Sequence, residues 1–221
     1  MKIERESITF PYVASIIGKD DGVFLDIGAN RGASTRAMLR AMPQGKIHAF
    51  EIDPRALKKF KAGTSSPQVT LHELAIGAID GEMDFYMSSG QPLRSSWWKD
   101  DENQGWDLSG SIKKPTGVTD AHPWCKFEDS IKVPVVKLDT WYSNTPYHII
   151  DFIWADVQGA ERDLINGGLH TLENTRYLYT EYSNVELYED QPTLEEILDL
   201  LPGFSIVKLY KGDVLLRNTA L

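Results

Sequence analysis

Phe24-Leu25-Asp26-Ile27-Gly28-Ala29-Asn30-Arg31-Gly32 is the stretch whose reading decides the fold. An apolar run that begins at Val23 closes on a carboxylate and two glycines, and a segment of helical spacing, Ala33 to Met42, follows at once and stops at Pro43-Gln44-Gly45. Strand, tight turn and helix in that order make the first half of a βαβ unit. Ligands of open α/β sheets bind at such a strand end.

The same alternation continues outward. Ile47–Phe50 reads as a second strand, Pro54 sits where a helix begins, and Leu57 and Phe60 face the core. Further strands are expected at Val69–Ala75, Glu82–Met87, Val133–Leu138, Ile149–Ala155 and Arg176–Tyr182. Helices are expected at Ala160–Ile165, stopped by Gly167-Gly168, and from Pro192 to Leu201. Phe204–Tyr210 and Val214–Arg217 around Lys211-Gly212-Asp213 close the chain as an antiparallel hairpin. Residues 88–132 break the pattern with Gly, Pro, Ser and four tryptophans, too long for an ordinary connection, and read as a lid or substrate-side insertion. The expectation is one α/β domain over residues 1–221 with a mainly parallel sheet.

Bulk properties remove several classes of function. A chain of 221 residues can bury its own core, and 42% hydrophobic with 25% charged residues is ordinary for a globular protein. A net charge of -9 with no basic run argues against nucleic acid as a partner, because phosphate binding needs clustered Lys and Arg. No run of 18 apolar residues occurs, and Met1-Lys2-Ile3-Glu4-Arg5-Glu6 is too charged to lead into a signal-peptide core, so no membrane partner and a cytoplasmic location are expected. Cys125 is the only cysteine, which excludes an intrachain disulfide and any multi-thiolate metal site.

The loop chemistry separates two kinds of ligand. A dinucleotide pyrophosphate needs backbone N–H groups free of nearby carboxylates, and its G-x-G-x-x-G pattern is absent; the spacing here is Gly28-x-x-x-Gly32. Asp26 instead favours a cationic ligand, while Gly28 and Gly32 let the backbone turn tightly and approach it. Twenty-five positions on, Glu51 ends the second strand, where a carboxylate can accept hydrogen bonds from both hydroxyls of a ribose. Asp53 has the plainer alternative of favouring the next helix N-terminus.

Asp26-Ile27-Gly28-Ala29-Asn30-x-Gly32 together with Glu51 resembles the S-adenosylmethionine (SAM) motifs of class I methyltransferases. Ala155-Asp156-Val157-Gln158-Gly159-Ala160-Glu161, followed by Leu164-Ile165-Asn166-Gly167-Gly168, resembles the D-V-E-G-A-E…L-x-G signature of the FkbM family. Val136-Lys137-Leu138-Asp139-Thr140-Trp141 and the Ser95-Ser96 pair are similar to further FkbM segments. The resemblance implies a Rossmann-like class I fold with a seven-stranded sheet, SAM as cofactor, and O-methylation of a hydroxyl on a sugar, glycan or secondary metabolite. It implies cofactor contacts from Asp26, Gly28, Asn30, Gly32, Ser34, Glu51, Ile52, Ala75, Ile76 and Asp156. Gln158 departs from the family's Glu, so no acidic role carries over to it.

Methyl transfer from a sulfonium asks the protein mainly for positioning and for handling one proton. Asp156 and Glu181, each at a strand end, are the catalytic candidates. One of them can be a general base raised in pKa by burial, or both can hold a divalent cation such as Mg²⁺ that lowers the hydroxyl pKa. The five histidines form no H-E-x-x-H pair, and His122 beside Pro123-Trp124 is kept as a further proton acceptor. Trp97, Trp98, Trp106 and Trp124 offer flat faces to a ring or make the insertion's own core; Arg94, Lys99, Lys113 and Lys114 can meet an anionic acceptor or simply face solvent.

Overall fold

A computed structural model of the chain describes residues 3–4, 7–92 and 105–221. The chain opens with α1 (Phe10–Ile17), capped by the Thr9 side chain, which accepts from the Tyr12 N–H. Then β1 (Val23–Ile27), α2 (Ala33–Ala41), β2 (Lys46–Phe50), α3 (Pro54–Gly63), β3 (Val69–His72), β4 (Ala75–Gly77) and β5 (Gly81–Gly90) follow. The second half runs α4 (Val118–Ala121), β6 (Cys125–Lys137), α5 (Leu138–Ser143), β7 (Ile150–Ala155), α6 (Glu161–Asn166), α7 (Leu169–Glu173), β8 (Thr175–Glu181), α8 (Leu194–Leu200), β9 (Phe204–Leu209) and β10 (Asp213–Asn218).

Seven strands form one sheet in the order β3-β2-β1-β7-β8-β10-β9. The first five are mutually parallel, and β10 runs antiparallel to both β8 and β9, which is the expected terminal hairpin. In β1, Phe24 to Ile27 are all buried, as are Ile150 to Ile153 of β7, because helices cover both faces of the sheet. Strand alternation divides the core: Leu25, Ile27 and Ile153 join the cluster under α5 to α8, whereas Phe24 and Phe152 join Val13, Met38 and Met42 under α1 and α2. Asp26 shares the Phe24 side, a placement that decides its partners.

The structure corrects several expected boundaries. Val69–Ala75 is two strands: β3 pairs with β2 in the main sheet, while β4 belongs to a second, three-stranded sheet ordered β4-β6-β5. β6 begins at Cys125, eight positions before the expected Val133, and pairs antiparallel with β5 from Gly81↔Val135 to Gly90↔Cys125. Both ends of the expected 88–132 insertion are thus sheet. Leu138 starts α5 instead of ending a strand, and the last helix starts at Leu194, behind a capping box of Thr193 and Glu196. Among the described residues no helix is long and apolar enough to cross a membrane.

Candidate active site

Chain order reverses between β1 and β7, so the loops leaving their C-terminal ends diverge and leave a crevice. The cleft there has a cavity volume of about 200 Å³ and is open to solvent at its mouth. Gly28 and Asn30 from β1, Glu51 to Asp53 from β2, Leu74 to Ile76, Asp107 to Ile112 in part, and Asp156 to Gln158 after β7 line it.

Gly28 has φ 82°, and a Cβ there would lie 1.9 Å from the Asp156 carbonyl oxygen. Gly32 has φ 77°, and its Cβ would strike the Phe60 ring and Thr64 Oγ1 at 2.8 Å. The glycines are therefore required where the β1 loop meets the β7 loop and where α2 starts against α3, and Gly28 also lines the cleft. Gly32 is not on the cleft wall.

Asp26 and Ser34 are not on it either. The Asp26 carboxylate is fully buried and accepts from the Ser34 hydroxyl at 2.9 and 2.8 Å and from the Thr35 hydroxyl. Burial pushes its pKa up to about 6, against the lowering by those hydroxyls. Its negative charge acts on the cleft through space. Asp53 takes the plainer of its two readings: it caps α3 by accepting from the Arg55 N–H at 2.9 Å and pairs with the Arg55 guanidinium.

Glu51 faces the cleft and is nearly buried. Its Oε2 accepts from the Asn30 N–H at 2.6 Å, and its Oε1 from the Ile52 and Asp53 N–H groups at 2.7 and 2.6 Å. Burial dominates these lowering bonds and raises its pKa to about 7. A carboxylate offers about four lone-pair sites, so one on Oε2 stays open to a ligand hydroxyl. Ile52, Ala75 and Ile76, with Phe50 and Phe85, give the adjoining wall an apolar surface.

At the inner end, the Gln158 Nε2 donates to Asp156 Oδ1 at 2.6 Å and to Glu181 Oε2 at 3.0 Å. The Gln158 amide thus joins the two carboxyl groups, one just past β7 and the other at the end of β8. Burial raises both, and Glu181 furthest, because Asp156, Glu161 and Asp213 add negative charge around it. Both carboxyl groups therefore hold a proton more tightly than an ordinary carboxylate. Glu161 is buried and pushed up to about 7, mainly by burial.

The Mg²⁺ expectation finds no support in this donor set. An amide N–H₂ directed at both carboxylates carries positive partial charge where a cation would have to sit. Among the described residues no three His, Cys, Asp or Glu side chains are grouped to hold a metal ion.

Two groups escaped sequence reasoning. Asp107 anchors its loop to the β1 loop: Arg31 donates to its two oxygens at 2.9 and 2.7 Å, and the Asn30 amide donates to its backbone carbonyl at 2.8 Å. Tyr188 places its hydroxyl 2.8 Å from the Ser109 carbonyl and 3.3 Å from Gln158 Oε1. Neither residue lies in a motif or a periodic position that could have flagged it. Trp106 and Trp124 meet edge to face at 4.9 Å in a small core with Val118, Cys125 and Tyr188, so they take the packing role. His122 is exposed and off the cleft wall, and Lys113 pairs with Asp163 and Asp190. Arg94, Ser95, Ser96, Trp97, Trp98 and Lys99 lie outside the described residues.

A sheet of this order with an acidic second-strand end at its switch point and no phosphate loop defines the class I methyltransferase architecture. Comparison with known proteins narrows it. The Methyltransferase FkbM domain matches residues 26–210, and the chain belongs to that family. It is 42% identical to the 2-O-methyltransferase NoeI of Sinorhizobium fredii, over 100% of this chain and 87% of that protein. Among solved structures, the FkbM methyltransferase of Methylobacillus flagellatus superposes with a TM-score of 0.52 at 12% identity, covering 96% of this chain and 48% of that one. A putative O-methyltransferase of Klebsiella pneumoniae gives 0.50 at 14% identity, covering 98% and 83%. The chain is therefore an O-methyltransferase, and the family implies SAM as its methyl donor. The cleft suits that donor: an open carboxylate lone pair for a hydroxyl, an apolar wall for a purine, and buried carboxylates around a cation.

Proposed function

We propose that the enzyme methylates a 2-hydroxyl on a sugar-like acceptor, a glycan or a small glycosidic metabolite, with Asp156 as the base. The Asp156–Glu181 pair, joined by the Gln158 amide where Asp156 and Gln158 line the cleft, carries this reading. The 2-O-methyltransferase relative supports the position on the acceptor.

Bound SAM supplies a methyl group already activated on a sulfonium, so proton handling and alignment fall to the protein. Glu51 Oε2 would accept from a ribose hydroxyl, and Ile52, Ala75 and Ile76 would hold the purine, while Gly28, Asn30 and Asp156 would frame the amino acid end. Asp156 would accept the acceptor's hydroxyl proton as the oxygen bonds to the methyl carbon and the carbon–sulfur bond breaks, the sulfur leaving as the neutral thioether of S-adenosylhomocysteine, and Glu181, held beside it by the Gln158 amide, would support Asp156. No step passes through a metal. The cytoplasm, where SAM is supplied, is the compartment that goes with this reading.

Radiolabelled methyl transfer to paired glycosides with and without the 2-hydroxyl tests it. Incorporation is expected only when the 2-hydroxyl is present, and Asp156→Asn should reduce it by about a hundredfold or more. Equal labelling of the 2-deoxy acceptors would contradict the proposed position.

A further inference from the structure

Gln158 stands on a strained stretch of backbone. Its φ is 51°, in the left-handed region that a side chain rarely adopts, and Gly159 follows at φ 92°. A Cβ on Gly159 would lie 2.4 Å from Tyr188 Cβ, so Tyr188 packs directly over this turn. Two successive left-handed residues fold the chain back, which brings the Gln158 amide within reach of Asp156 two positions earlier and of Glu181 at the end of β8.

The amide has one workable orientation there. With nitrogen inward, its two N–H protons meet Asp156 at 2.6 Å and Glu181 at 3.0 Å, and its oxygen faces the Tyr188 hydroxyl at 3.3 Å. Flipped, a carbonyl oxygen would face the oxygens of two carboxyl groups, so it is the carboxyl pair that sets the orientation of the amide. The surroundings are acidic on several sides: Asp26 from β1, Glu161 from α6 and Asp213 from β10 all act on the pair or are acted on by it, and Tyr179 adjoins Asp213 and Glu181. A carboxylate at position 158 would complete a set of three around one point, the arrangement that calls for a bound cation.

We propose that Gln158 is a positioning residue that takes the place of a divalent cation: its amide clamps Asp156 and Glu181 at a fixed spacing and makes the methyl transfer metal-independent. The inference rests on the reading of that pair as the acid–base site. The Gln158 amide thereby holds together two half-buried carboxyl groups that would otherwise repel.

Mn²⁺ is the probe, read by electron paramagnetic resonance on the full-length protein saturated with S-adenosylhomocysteine. The wild-type protein should leave the free Mn²⁺ signal unchanged up to about millimolar concentration, and methyl transfer should survive a chelator. Gln158→Glu should gain uptake of Mn²⁺, binding it at least about tenfold more tightly than the wild type, and Asp156→Asn in that background should abolish the gain. Wild-type uptake that Asp156→Asn removes would overturn the proposal, as would a folded Gln158→Glu protein that takes up none. The wild-type titration decides the matter even where Gln158→Glu fails to fold. Calorimetry on the wild-type protein separates the two levels: Mn²⁺ uptake at Asp156 with intact S-adenosylhomocysteine binding overturns the role of Gln158 alone, whereas absence of S-adenosylhomocysteine binding overturns the functional reading beneath it.

Discussion

At the scale of single residues, Gly28 and Glu51 make the clearest demands. Gly28→Ala would place a methyl 1.9 Å from the Asp156 carbonyl at φ 82°, so the two loops that build the cleft must part. We expect a loss of about 2–4 kcal/mol in denaturant unfolding, from backbone strain and displaced contacts together. Glu51 behaves differently, because its carboxylate must be ionised to accept three N–H groups and a ligand hydroxyl at once. With its pKa pushed up to about 7 by burial, binding of S-adenosylhomocysteine should weaken as pH falls below that value, by up to about tenfold per unit, and Glu51→Gln should flatten this dependence. The sequence located both residues because a carboxylate at a strand end and glycines in a turn are local signals. It misjudged what Asp26, Gly32 and Ser34 touch, since strand alternation turns Asp26 toward α2, where Ser34 and Thr35 consume it.

At the scale of elements, an ion pair is one of the ties that hold the 105–112 wall of the cleft. Asp107 is buried and Arg31 reaches it with two charge-assisted bonds, tying the 105–112 stretch to the β1 loop across the mouth of the cleft. Asp107→Ala should cost about 2 kcal/mol of stability, measured by unfolding midpoint, and should also weaken cofactor binding in calorimetry. A variant that loses stability but binds S-adenosylhomocysteine at wild-type strength would show that this stretch is not part of the cofactor wall. The helices and buried parallel strands were readable because their apolar patterns are long and continuous. The start of β6 was not: Lys126, Glu128, Asp129 and Ser130 are exposed there, and cross-strand pairing with β5 rather than burial holds them extended. The split between β3 and β4 was hidden for a related reason, because an apolar run does not reveal which sheet each half joins.

At the scale of the whole molecule, the site stores negative charge inside the fold. Burial is the leading cause that raises Asp26 and Asp213 to about 6 from an ordinary 3.8, and Glu51 and Glu161 to about 7 from 4.5. Between those limits the folded protein binds more protons than the unfolded chain, so stability should fall as pH rises from about 4.5 to about 7 and level off above. Unfolding midpoints across that range check the sign; a midpoint that rises with pH would mean the carboxylates are better paired than the structure indicates. A ligand carrying positive charge relieves the same cost, which links the stability profile to the cofactor.

The most direct test of the account is a calorimetric titration of the purified protein with S-adenosylhomocysteine and with NADH, repeated on Glu51→Ala. The account predicts saturable binding of S-adenosylhomocysteine that is lost or weakened by at least about tenfold in the variant, and no binding of NADH. Absence of S-adenosylhomocysteine binding from a folded, ligand-free sample, or binding that Glu51→Ala leaves untouched, would contradict the assignment of this cleft as the cofactor site.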